Sequence, residues 1–175
     1  MLPLLLKNCL PIFLNAMVAK TVVGLADKCR RKFGKHDKAR ELYQYVLAHW
    51  PDDEYAMWAL RGIAFLDIKF QDYGAAEAAV EKLLADYPNH KGLAEAFKWL
   101  GDDYRRIGKY QRAIELYRYV VDNQPESEQA IWAQVNLVEL NIQLGDDPNA
   151  AAAIEKLLTN FSERNGSKNG CRVGR

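Results

Sequence analysis

Three prolines, Pro51, Pro88 and Pro125, stand 37 residues apart, and Ser162 stands another 37 residues on. The columns between them repeat as well. Ala39, Ala76, Ala113 and Ala150 are identical; Val46, Leu83, Val120 and Leu157 are all branched aliphatics; Phe33, Phe70, Ile107 and Leu144 are all large and apolar. Tyr43, Val80, Tyr117 and Ile154 form a further column, as do Leu47, Leu84, Val121 and Leu158. A unit this short cannot bury its apolar face alone. A fixed period of this size therefore constrains the chain to a stack of like units, each covering its neighbour.

Each copy reads as two helices. In the third, Ala94, Phe97, Leu100, Gly101 and Tyr104 fall at the spacing of a one-sided helical stripe. Gly108 ends it, because glycine tolerates the left-handed conformation at a helix C-terminus. A second stripe follows, Ala113, Leu116, Tyr117, Val120 and Val121, and Pro125 stops it. Gly34, Gly108 and Gly145 share one column, with Gln71 as the exception. The pattern predicts helices over 16–33, 37–49, 53–69, 73–86, 90–106, 110–123, 127–143 and 148–160, with Asp147 capping the last ahead of Pro148. The copies are 15–51, 52–88, 89–125 and 126–162.

The third copy resembles a tetratricopeptide repeat: Phe97, Leu100, Gly101, Tyr104, Gly108, Tyr110, Ala113, Tyr117 and Pro125 match its motif. That resemblance covers residues 15–162 and implies an all-α, right-handed superhelix of four helical hairpins. Three residues beyond the usual repeat length, and the string Lys98-Trp99-Leu100-Gly101-Asp102, are similar to two envelope families of Gram-negative bacteria. These are the periplasmic coordinators of the Tol–Pal system and the lipoproteins of the outer-membrane barrel-assembly machine. The resemblance thus implies the bacterial envelope; with no convincing signal peptide or lipobox in the sequence, the cytoplasm stays open as the other compartment.

Net charge is +1, which argues against a dedicated nucleic-acid binder. The balance is uneven: residues 1–40 carry nine Lys/Arg against Asp27 and Asp37. The reading of this basic end is a solvated helix face, ahead of a contact with lipid or RNA. Residues 1–14 read as a helix left over from a preceding repeat. A secretion or anchoring segment fits less well, since Lys7, Pro3 and Pro11 interrupt the apolar run. Residues 163–175 are polar and glycine-rich and are expected to be disordered.

No catalytic chemistry is legible. Cys9, Cys29 and Cys171 lack metal-ligand spacing, no two of His36, His49 and His90 sit four apart, and no phosphate loop or nucleophile motif occurs. The chain is expected to be a non-enzyme without a cofactor or metal. Asp103 stands out, because its column otherwise holds Cys29, Leu66 and Leu140; Arg105 or Arg106 is the expected partner.

In the family that the third copy resembles, first helices line a concave face. Carried across, this implies Trp58, Arg61, Phe65 and Ile68 in copy two, then Glu95, Lys98, Asp102 and Arg105 in copy three. Trp132, Val135, Glu139 and Ile142 follow in copy four. Trp and Arg at such positions are the residue types that tend to anchor partners. The expectation is a scaffold for a peptide or protein, with Trp58 and Trp132 either in the groove or packed between hairpins. The alternative is a segment of a longer array, or a unit that self-associates through an uncapped last hairpin.

Overall fold

A computed structural model describes the backbone of residues 2–170 and the side-chain environments of 15–159. Every regular element in that span is a helix: α1 (Leu2–Phe33), α2 (His36–His49), α3 (Glu54–Lys69), α4 (Tyr73–Asp86), α5 (Leu93–Arg106), α6 (Tyr110–Asn123), α7 (Glu128–Gln143) and α8 (Asp147–Gly170). This is the all-α hairpin fold class that the period requires. The chain divides into two compact units, Met1–Ala96 and Phe97–Arg175, with the division inside α5.

The turns follow from the repeated columns. Gly34, Gly108 and Gly145 take φ of 61°, 77° and 70°, and Gln71 takes 65°. In copies two to four, the N–H after this residue bonds the carbonyl five back: Asp72 to Asp67 at 2.9 Å, Lys109 to Tyr104 at 3.0 Å, Asp146 to Asn141 at 2.9 Å. With the inner bonds Gln71 to Ile68, Gly108 to Arg105 and Gly145 to Ile142, this is the Schellman ending of a helix. Helix starts are capped by side chains: Asp53 accepts from the Tyr55 N–H, Asp72 from Ala75, and Ser127 from Ala130.

Four boundaries differ from the sequence reading. α5 begins at Leu93 instead of 90, because the His90 ring nitrogen accepts from the Gly92 N–H and holds residues 91–92 in a turn. The cap of α8 is Asp146, whose carboxylate accepts from the Asn149 N–H, so Asp147 is already the first helical residue. Where prolines stand, helices stop at His49, Asp86 and Asn123; with Ser162 in that column nothing forces the backbone out of the helical region. α8 therefore continues to Gly170, through part of the segment expected to be disordered, and residues 171–175 lie outside the described residues. At the other end α1 is one helix from Leu2, so residues 2–14 are continuous with the first helix of copy one.

In unit 1, α2 packs against α1 and α3, and α3 against α4. Its core joins Ala19, Val23, Ala26, Ala39, Tyr43 and Val46 to Ala59 and Leu66, with Cys29 half-buried beside them. The invariant alanine column is fully buried at Ala39, Ala76 and Ala113. A small residue also sits beneath each large ring. Gly62 on α3 leaves no room for a Cβ because the Tyr43 ring fills that space. In unit 2 a Cβ on Gly101 would lie 2.6 Å from the Tyr117 ring. The column of Phe33, Phe70, Ile107 and Leu144, by contrast, is exposed in every copy, since it forms the solvent-facing end of each first helix.

Candidate partner-binding surface

The expected surface residues fall into two groups, one in each unit. In unit 1, Trp58, Arg61 and Phe65 lie on α3. Trp58 and Phe65 are half-buried and pack against the core. A Cβ on Gly92 would come within 2.7 Å of the Trp58 ring, so this tryptophan lies directly under the start of α5. Phe65 is flanked by two guanidinium groups, Arg30 at 4.2 Å and Arg61 at 6.0 Å from the ring centre. Trp58 is thus a packing residue between successive hairpins, one of the two roles the sequence allowed. Ile68 is buried.

In unit 2 the charges of the expected groove are joined to one another. Lys98 Nζ lies 2.8 Å from Asp102. Asp102 also accepts from the Tyr117 hydroxyl at 2.7 Å and from the Asn136 amide at 3.1 Å. Arg105 donates to the Asn136 oxygen and pairs with Glu139 at 2.8 Å. Lys98, Asp102, Arg105 and Glu139 therefore clamp α5 to α6 and α7. Burial pushes the Tyr117 hydroxyl well above its ordinary pKa, and the Asp102 carboxylate that it donates to adds to the shift. Tyr43 is raised by the same two causes, burial and a 2.6 Å bond to Asp27.

Three apolar residues of this group lie outside the network. Val135 is half-buried, whereas Trp132 is 61% exposed on α7. Ile142, on the same helix, is exposed as well.

Asp103 is buried and pairs with Arg106 at 2.8 Å, which accounts for an acid in an apolar column. Sequence reasoning missed the second buried acid, Asp67, held by Arg40 at 2.6 Å across α2 and α3. Its column holds Arg30, Tyr104 and Asn141, all able to hydrogen-bond, and that polar column was the available signal. The clamp was also foreshadowed: Asp102–Asn136 and Arg105–Glu139 are each 34 residues apart, as are Trp58 and Gly92. That offset, three short of the period, is where successive first helices meet. His36 is lowered from its usual pKa, first by burial and then by Lys69, whose Nζ is 2.8 Å from the ring.

Among the described residues no group of three His, Cys, Asp or Glu is placed to hold a metal ion, and no helix is long and apolar enough to cross a membrane.

Two models of the tetratricopeptide repeat match the sequence in succession, one over residues 31–98 and the other over 99–165. The chain belongs to the tetratricopeptide-repeat family. Among solved structures, the crystal structure of MamA is similar in fold, with a TM-score of 0.58 and 19% identity, over 85% of this chain and 81% of that one. No curated protein matches the chain.

Proposed function

We propose that this tetratricopeptide protein is a scaffold that holds a protein or peptide partner, and that in unit 2 the partner docks on the α7–α8 hairpin. Trp132 carries the reading. A large ring left mostly in water is the residue type that supplies binding energy when a partner covers it, and the neighbouring charges are already satisfied. Lys98, Asp102, Arg105 and Glu139 then act as the clamp that keeps the surface rigid, while Trp58, Arg61 and Phe65 hold unit 1 together. The compartment follows only from the envelope resemblance, so cytoplasmic and envelope fractions are tested separately.

The experiment is a pull-down from both fractions with the wild-type chain and Trp132→Glu, after circular dichroism has shown equal helicity. The expected result is a partner captured by the wild type and lost with the variant. Trp58→Glu is the wrong probe, because it disturbs the packing under Gly92. Equal capture by Trp132→Glu would place the binding surface elsewhere.

A further inference from the structure

The side of α7 away from Trp132 borders a cavity. Asn141 stands nine residues after Trp132, about two and a half turns round the helix. It lines a cavity of about 350 Å³ in unit 2, between α6, α7 and α8, with Val121, Leu137 and Ala152 as apolar wall. Two links frame this space. Lys156 on α8 pairs with Asp122 on α6 at 2.6 Å, and the Gln134 amide on α7 donates to the Ala153 carbonyl at 3.0 Å. Asn141 is 3% exposed, and among the described residues its side-chain amide has no hydrogen-bond partner. The repeat explains why. Its equivalent two periods earlier is Asp67, which Arg40 holds at 2.6 Å. The equivalent of Arg40 is Ile114, which is buried and has no side-chain group to donate. A buried amide without a partner is costly, and such groups as a rule meet a water or a ligand.

We infer that this cavity binds a small acylated apolar amino acid, with its carboxylate on Arg118, its amide on Asn141 and its side chain against the apolar wall. Arg118 lines the cavity from an exposed position, and among the described residues it has no partner. Its planar guanidinium accommodates a carboxylate through two parallel bonds. The Asn141 amide offers donors and an acceptor, the complement of another amide. The volume falls within the range of small-molecule pockets, about 300–1,000 Å³. Unit 1 has the same groove between α2 and α4, about 450 Å³, where Leu47 and Lys82 are the equivalents of Val121 and Lys156. It lacks both recognition groups. Gln44 stands in the column of Arg118, Asp67 is already paired, and Asp52 and Asp86 would repel a carboxylate. Of these two grooves, only the one in unit 2 therefore takes the acid, and it does so independently of the surface at Trp132.

Isothermal titration calorimetry of N-acetyl-leucine into the full chain tests this. The expected result is saturable binding at one site per chain, weaker by about tenfold or more for N-acetyl-leucine amide, which lacks the carboxylate. Arg118→Gln, at an exposed position, should weaken the acid by a similar factor and remove the preference over the amide. Asn141→Leu should abolish binding yet melt no lower than the wild type, because it exchanges an unpaired buried amide for an apolar side chain of similar size. Trp132→Glu should bind as the wild type does. No saturable binding up to millimolar acid, or equal affinity for acid and amide, would overturn the inference. So would a lower melting temperature for Asn141→Leu, since the amide would then be paired. A hexapeptide ending in leucine that bound more tightly than N-acetyl-leucine would give the site to a chain terminus instead of a small acid.

Discussion

Gln71 carries a cost that its three counterparts do not. It takes a φ of 65° in the column where the other copies place glycine, and a side chain in the left-handed region costs about 1–2 kcal/mol. Replacing it by glycine removes that strain but adds freedom to the unfolded chain, worth about 0.5–1 kcal/mol. Gln71→Gly is therefore expected to stabilise by roughly 0.5–1 kcal/mol, read as a higher urea midpoint at unchanged slope. The reverse change at Gly108, where φ is 77°, should lower it. A lower midpoint for Gln71→Gly would mean that the turn is not strained.

At the scale of elements, α1–α2 and α5–α6 are each fastened by a buried tyrosine donating to a carboxylate: Tyr43 to Asp27, Tyr117 to Asp102. Burial and the facing carboxylate both raise the hydroxyl pKa above its ordinary value of 10.0. A group whose pKa is raised by folding contributes stability that is intact below the unfolded value and is lost as pH climbs toward the folded one. The urea midpoint should then hold steady to about pH 9 and fall above about pH 10. The double variant Tyr43→Phe/Tyr117→Phe starts lower, by about 1 kcal/mol per lost bond, and shows a shallower alkaline fall. An equally steep fall in the variant would assign it to other groups.

The elements were legible because apolar residues at helical spacing and the glycine and proline columns fix where a hairpin turns. Three things were not. The burial of Asp67 is tied to its partner Arg40, which lies on the neighbouring helix and 27 residues earlier in the sequence. The extension of α8 depended on Ser162 lacking the constraint of proline. Lys98, Asp102, Arg105 and Glu139 looked like a charged groove because opposite charges on separate helices give no local sign that they meet. Only the 34-residue offset, used together with the period, brings Arg105 to Glu139.

For the whole molecule, one consequence of repetition organises the account: a column that is core in one copy is exposed in another. Ile154 and Trp132 hold the same positions as Tyr43 and Trp58, yet are 39% and 61% exposed where Tyr43 is buried and Trp58 half-buried. Hydrogen exchange read by mass spectrometry at low and high protein concentration tests this most directly, since protection tracks the free energy of local opening. Amides of α8 within 147–159 are expected to exchange faster than those of α2, α4 and α6 at both concentrations. If α8 is as protected as α4 and α6 at the lowest concentration, the fourth copy is closed and the account is contradicted.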